Sequence, residues 1–145
     1  MDWTASAMSI ITFFMVLVLI WQVWELRRAT STQAFCSLID RLQDEEVRKA
    51  REIVLEQERE GNSIDLTGRV QVGSDEKVCH TYDVAGIMVN SGMVPKRLLT
   101  ENWGHSIKRC WQYVNPLVSK YRKERSAPKI WDDFESLAKD IPDPE

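Results

Sequence analysis

The chain has few of the residues from which catalytic and metal centres are usually built. It contains two histidines and three cysteines, and Cys79 and His80 are adjacent, so they point to different helix faces, while His105 lies on another segment. Cys110 stands on an apolar stripe beside Trp111, which predicts a buried small hydrophobe. No glycine-rich loop ends in Lys-Ser/Thr. We therefore expect no catalytic residue, no metal site and no cofactor, and we do not expect an enzyme.

Formal charge is also missing from the 22 residues between Asp2 and Glu25. At ~1.5 Å per residue this run forms roughly 33 Å of helix, enough to cross a hydrocarbon core of about 30 Å. Its large apolar residues contribute on the order of −3 to −6 kcal/mol to insertion. Tryptophans at both ends are typical of interfacial aromatic belts. The residues predicted to mark this membrane span are Trp3, Phe13, Phe14, Leu17, Ile20, Trp21 and Trp24.

Two other interpretations of the run fit less well. A cleavable signal peptide would have a basic segment before the run and a small-x-small site after it, and neither is present. A core helix of so small a domain would rarely be apolar on all sides. We therefore predict a single membrane span and assign residues 1–29 to an N-terminal anchor.

The charges beside the run predict its orientation. Arg27 and Arg28 follow it directly, whereas Asp2 is the charged side chain that precedes it. The positive-inside rule then places the N-terminus outside and the C-terminal domain in the cytoplasm, with the span in the cell inner (plasma) membrane. An odd number of cysteines without close spacing also fits a reducing compartment better than a disulfide framework.

The rest of the chain is predicted to be helical, so the fold class is all-α: the N-terminal transmembrane helix and a small cytoplasmic bundle of four to six helices. Residues 30–60 are assigned to juxtamembrane helices. Ser31 or Thr32 could begin the first of them, or the helix could run unbroken from the span through Leu42. At "QDEE" the helical segment either kinks or divides in two, and Asp44 could cap the second helix. We favour two helices. Residues 61–75 are assigned to a loop or short hairpin, residues 76–141 to a helical domain, and residues 142–145 to a tail.

Prolines divide the helical domain. Pro95 is placed at the start of a helix with a predicted apolar stripe of eight residues. They are Leu99, Trp103, Ile107, Cys110, Trp111, Val114, Val118 and Tyr121. Pro116 lies within that stripe, so we expect a kink or break just before it. Pro128 is placed at the start of a last helix, with Trp131, Phe134, Leu137 and Ala138 facing the core.

Charge is unevenly distributed along this domain. Between Lys96 and Arg125 there are eight basic residues and two acidic ones. From Asp132 onward there are six acidic residues and one lysine. One interpretation is a basic patch that binds anionic lipid or nucleic acid. The alternative, which we favour, is a solvated helix end whose cations pair with the acidic segment. The patch would consist of Lys120, Arg122, Lys123 and Arg125.

The span also carries a candidate interface. Ala5 and Ser9 form a small-xxx-small pair, and Thr12 lies on the adjoining turn. Such a thin face lets two helices approach closely in lipid. The pattern is equally consistent with small residues that face lipid.

Three short motifs carry a resemblance to a known group of proteins. They are "VNSGMV" at Val89–Val94, "WQYVNP" at Trp111–Pro116 and "WDDFE" at Trp131–Glu135. With the Trp-flanked span, they resemble a bacterial family of small single-pass membrane proteins whose helical domain has no known function. The resemblance implies an anchored helical domain and no particular chemistry.

Two functional hypotheses remain. The first is a single-pass, membrane-anchored accessory or adaptor subunit that works through protein–protein contacts, with another integral membrane protein or a second copy as partner and the lipid bilayer around its span. The second is a membrane-tethered regulator or defence-type effector whose basic helix binds anionic lipid or nucleic acid. We do not expect nucleic acid to be the partner, because the basic cluster is short and lacks interleaved aromatic residues.

Overall fold

The described part of the protein consists of five α-helices. The computed structural model describes residues 3–62, 64 and 73–142, and for residues 3–7 and 9 it describes the backbone alone. The helices are α1 (Trp3–Gln43), α2 (Glu45–Arg59), α3 (Ser74–Asn90), α4 (Lys96–Glu124) and α5 (Asp132–Lys139). These ranges contain no strand, so the predicted all-α class is confirmed. The hairpin considered within residues 61–75 lies almost entirely outside the described residues.

Helix α1 is a single helix of 41 residues, roughly 60 Å long. Ser31 and Thr32, which the sequence offers as a possible start of a separate helix, lie in its interior, so the unbroken helix is the alternative that is observed. The Thr32 hydroxyl donates to the Arg28 carbonyl oxygen at 3.0 Å, four residues back. A hydroxyl bonded to the carbonyl four residues back belongs to the interior of a helix and does not cap the start of a new one.

Asp44 separates α1 from α2. Its carboxylate accepts hydrogen bonds from the backbone N–H groups of Glu46 at 3.0 Å and Val47 at 3.3 Å. These bonds satisfy two of the donors that a helix start leaves unpaired, and the acidic first turn of α2 suits the helix dipole. The predicted division into two helices at "QDEE" is confirmed.

Helices α2, α3 and α4 end in the same kind of turn. In each, one residue adopts a positive φ and donates its N–H to the carbonyl three residues back, and the next residue donates to the carbonyl five residues back. This is the Schellman arrangement. The positive-φ residue is Gly61 after α2 and Gly92 after α3, but it is Ser126, with φ 49°, after α4.

Helix α4 continues through Pro116. Of the kink or break expected near residues 113–115, the break is therefore wrong. Pro116 and Gln112, whose carbonyl loses its donor, both lie on the exposed side, where water can satisfy that carbonyl. The opposite face follows the predicted stripe, except that Trp103 is only half-buried and Leu117 joins it. Its buried side chains are Leu99, Ile107, Cys110, Trp111, Val114, Leu117, Val118 and Tyr121.

Helix α5 begins at Asp132 and not at Pro128, which corrects the predicted start. Residues 128–131 form a turn, and Trp131 adopts φ 55° in front of the helix. This turn buries the Trp131 ring against Tyr121, with ring centroids 5.2 Å apart. The core positions predicted for the helix itself, Phe134, Leu137 and Ala138, are buried.

An aromatic cluster joins three helices at the centre of the core. Phe134 lies 5.2 Å from Tyr82 and 5.1 Å from Trp111, measured between ring centroids. The Tyr82 hydroxyl is paired with Ser106 Oγ at 2.8 Å, so its buried polar atom is satisfied. Leu38 and Leu42 of α1 belong to the same core. The end of the first helix is thus an integral part of the bundle.

Candidate functional site

Among the described residues, most of the exposed large apolar side chains lie on the first part of α1. Its large apolar side chains from Met8 to Leu26 are 45–72% exposed. The most apolar 18-residue window of the helix has a mean hydropathy of 1.7, and none of it is buried. A core helix would bury such residues, so that interpretation does not fit. By length and composition, α1 is able to cross a membrane.

The structure describes the side chains of six of the seven predicted span residues. Phe13, Phe14, Leu17, Ile20, Trp21 and Trp24 are all exposed on α1. Trp3 belongs to the helix, but its side chain lies outside the described residues. The exposed side chains surround the helix on every side, as expected for contact with lipid rather than with one protein surface.

The predicted span interface is described only at Thr12. Its hydroxyl donates to the Met8 carbonyl oxygen at 2.9 Å, which hides the polar atom within the helix. Ala5 and Ser9 lie on α1, but their side chains are outside the described set. The approach of a second helix along this face stays a prediction.

The two arginines used to predict orientation lie just beyond the apolar surface. Arg27 and Arg28 are exposed on α1. The Arg28 guanidinium lies 6.0 Å from the Trp24 ring centroid, at the limit of a cation–π contact. This cation therefore lies beside the last tryptophan of the apolar segment.

The predicted basic patch does not form one surface, because Arg122 turns inward. Its Nε donates to the Ile130 carbonyl oxygen at 2.9 Å and its Nη1 to Glu135 Oε2 at 2.6 Å. These contacts join α4 to the turn before α5 and to α5 itself. With Glu135 also held by Lys139, the two cations lower the pKa of that carboxyl group. The Arg122 side chain thus has a structural partner.

The other three members of the patch stay near the surface. Arg125 stacks on the Tyr121 ring with its guanidinium 4.7 Å from the centroid. Lys120 Nζ lies 3.6 Å from Glu124, and Lys123 is exposed. Together with the Arg122–Glu135 pair, this arrangement agrees with the alternative in which the cations of α4 pair with acidic neighbours.

Residues considered for catalysis or metal binding are scattered. Cys79 and Cys110 are buried, and burial raises the pKa of both thiols, that of Cys110 to about 12. Such thiols stay protonated and are poor nucleophiles at neutral pH. His80 and His105 are exposed on different helices. Within the described residues, no group of three or more His, Cys, Asp or Glu side chains is arranged to hold a metal ion.

Comparison with known proteins identifies a family. A family model described as a domain of unknown function (DUF4760) matches residues 9–141. The chain belongs to the DUF4760 family. No curated protein and no solved structure matches it. The DUF4760 match agrees with the expected family of unknown function, and it begins inside the apolar part of α1. That helix and the helical domain are therefore matched together.

The structure of this DUF4760 member also reveals two polar contacts that the sequence analysis did not anticipate. Asp83 of α3 accepts a hydrogen bond from the Phe134 backbone N–H at 3.1 Å, and so caps α5 from another helix. Burial raises the pKa of Asp83, and this hydrogen bond opposes the rise. The Ser31 hydroxyl donates to the Met93 carbonyl oxygen at 3.0 Å. Both contacts join segments more than 50 residues apart, so no local sequence motif predicts them.

Proposed function

We propose that this DUF4760 protein is a single-pass membrane-anchored accessory or adaptor subunit that works through protein–protein contacts in a membrane complex. The apolar part of α1 crosses the inner (plasma) membrane, the N-terminus lies outside, and the helical domain lies in the cytoplasm. The partner is another integral membrane protein or a second copy of the chain.

One observation carries the proposal: the continuous helix α1 is exposed and apolar in its first part and packs into the core of the bundle in its last part. From Met8 to Leu26 its apolar side chains are exposed, whereas Leu38 and Leu42 are 1% and 0% exposed within the bundle. An exposed apolar surface of this size is unfavourable in water and marks contact with lipid or protein. Because the same helix is also part of the core, the anchor and the domain are firmly connected.

The matched range supports a retained anchor. The DUF4760 model begins at residue 9, within the apolar run. A signal peptide is removed from the mature protein. A family domain that includes part of the apolar run therefore favours a run that is retained. The buried thiols and scattered histidines favour a role through contacts rather than through catalysis.

Cys36 provides a direct test of the orientation. It is exposed on α1, whereas the other two cysteines are buried. In intact cells, a membrane-impermeant maleimide should leave the protein unlabelled, and after the membrane is opened it should label Cys36. Cys36→Ser should abolish the labelling. Equal labelling of intact and opened cells would refute the cytoplasmic placement.

The adaptor role is tested by purifying the tagged protein from its own membranes in mild detergent and identifying its partners by mass spectrometry. We expect a stoichiometric membrane protein or a defined homo-oligomer. Thr12→Leu, which thickens the predicted interface, should reduce the recovered partner, and Phe14→Leu on the opposite side of α1 should not. A monomer without partners would contradict the proposal.

The regulator or effector alternative has less support, because Arg122 is committed to Glu135 and Ile130. It predicts salt-sensitive binding of anionic lipid or nucleic acid that weakens when Lys120, Lys123 and Arg125 become neutral. Arg122 should be kept in that variant so that α5 stays in place. Unchanged binding would exclude a role for these cations.

A further inference from the structure

The loop between α3 and α4, residues 91–95, is fixed to α1. Within the loop, Met93 and Val94 both donate backbone N–H groups to the Met88 carbonyl oxygen at 3.0 Å. The Met93 carbonyl oxygen in turn accepts the Ser31 hydroxyl at 3.0 Å, and the Val94 side chain is buried in the core. The position of the loop along α1 is therefore defined.

That position lies close to the end of the apolar segment. Ser31 is seven residues beyond Trp24, which corresponds to about 10 Å along a helix. The headgroup layer on each side of a bilayer is about 5–8 Å thick. A modest tilt of α1, of the order of 20° in known spans, lowers one side of the bundle further. The loop thus lies at the membrane-facing end of the domain.

Exposed apolar side chains collect at this end of the domain. Outside α1, the described residues include four exposed large apolar side chains, and three of them, Ile87, Met93 and Leu98, fall between residues 87 and 98. Met93 is 52% exposed and Leu98 is 40% exposed. In the Schellman turn, the residue in the position of Met93 often packs back on its own helix. Here its side chain points outward from a rigid turn.

We propose that the α3–α4 loop rests on the phospholipid headgroup layer of the same bilayer that α1 crosses, with Met93 and Leu98 in contact with lipid. The inference rests on the proposed membrane anchoring. A bilayer is the occupant that this surface fits, because the Ser31–Met93 hydrogen bond holds the loop against α1 only a few residues beyond its apolar segment. Arg27 and Arg28, exposed on the intervening turn, supply cations for the lipid phosphates.

The contact would fix the orientation of the domain relative to the membrane. A lone helix anchor sets the height of a domain but leaves its tilt to other contacts. A second contact beside α1 limits the tilt and turns one side of the bundle toward the membrane. The far end of α1, near Asp40, stays about 24 Å beyond Trp24, well clear of the headgroups.

Site-directed spin labelling of the full chain in phospholipid vesicles tests the inference. In a Cys36→Ser background, single nitroxide labels are placed through Met93→Cys, Leu98→Cys, Leu19→Cys and Asp40→Cys. Collision rates with oxygen, which concentrates in lipid, and with a water-soluble nickel chelate report the surroundings of each label. Leu19 is the control for lipid, and Asp40 is the control for water.

We expect the labels at positions 93 and 98 to meet the nickel chelate severalfold less, and oxygen severalfold more, than the label at position 40. If both resemble position 40 while position 19 is in lipid, the loop inference is overturned and the anchor stands. If position 19 itself is in water, the proposed anchoring fails. Shielding of positions 93 and 98 from both reagents would mean that a second copy of the chain covers the loop, which also overturns the inference.

Discussion

The two ends of α1 contain similar apolar residues but meet different surroundings. From Met8 to Leu26 these residues cover every side of the helix and are exposed. From residue 31 onward they narrow to a stripe, and Leu38 and Leu42 disappear into the core. The distribution of apolar residues around the helix, more than their number, therefore distinguishes a surface for lipid from a surface for protein.

A pair of charges in the first region should have the largest effect. Each arginine at the centre of a span costs about 2.5–3.5 kcal/mol of insertion free energy, so Leu17→Arg with Ile20→Arg together cost roughly 5–7 kcal/mol, which cancels the predicted gain. We expect the double variant to leave the membrane fraction in flotation experiments. Leu17→Ile with Ile20→Leu should remain in it. Retention of the arginine variant would contradict the assignment of this region to lipid.

The same substitution at both ends of the helix compares them directly. Leu42→Ala should lower the free energy of unfolding of the domain by about 2–5 kcal/mol, because it leaves a cavity in the core. Leu17→Ala should leave the unfolding of the domain unchanged. The measurement is urea unfolding in mild detergent. Equal losses for the two variants would mean that the regions do not differ as described.

Two buried glycines of the domain differ in the space that surrounds them. A Cβ at Gly86 would lie 2.4 Å from the Asp133 carbonyl oxygen, whereas one at Gly104 would meet the Ile141 side chain at 3.5 Å. Gly86→Ala should force α3 and α5 apart and destabilise the domain by about 1–3 kcal/mol. Gly104→Ala should be neutral or stabilise by up to about 1 kcal/mol. A tolerated Gly86→Ala in thermal unfolding would show that α5 adjusts freely.

The turn after α4 offers a smaller, stabilising change. Ser126 holds φ 49°, a conformation that strains any residue with a Cβ. Ser126→Gly should raise the free energy of unfolding by about 0.5–1 kcal/mol. Ser119→Gly, on the exposed face of α4, should lower it by about half a kcal/mol. The same sign for both variants would refute the strain.

The smallest effect should come from the ion pairs of Glu135. Its pKa is lowered in the folded protein by Lys139 and Arg122. Its ionised form therefore stabilises the fold above the unfolded pKa of about 4.5, and this stabilisation is lost as the pH falls through the folded pKa. Glu135→Gln should be less stable than the parent at pH 7, with the difference shrinking below about pH 4. A constant difference across that range, measured by urea unfolding, would contradict the pairing.

Local signals in the sequence account for much of this fold. Asp44 caps α2 through bonds to residues two and three positions away, so its role is visible in "QDEE". The apolar stripe of α4 follows from helical periodicity in the same way. Uniformly apolar residues likewise mark the first part of α1, since no partner in the chain is needed to explain them.

The remaining features depend on distant partners. The start of α5 is displaced to Asp132 because Trp131 turns toward Tyr121 and Asp83 caps Phe134 from another helix. The basic patch is divided because Arg122 meets Glu135 across two helices. Neither the spacing nor the composition near these residues predicts such contacts, and the position of the α3–α4 loop depends on Ser31 in the same way.

The continuity of α1 has a mechanical consequence. A helix without a joint transmits both twist and displacement, and each residue adds about 100° and 1.5 Å. The orientation of the apolar part of α1 about the helix axis is therefore fixed relative to that of the bundle. A partner that binds the apolar part of α1, and rotates it or moves it along its axis, rotates or moves the helical domain by the same amount.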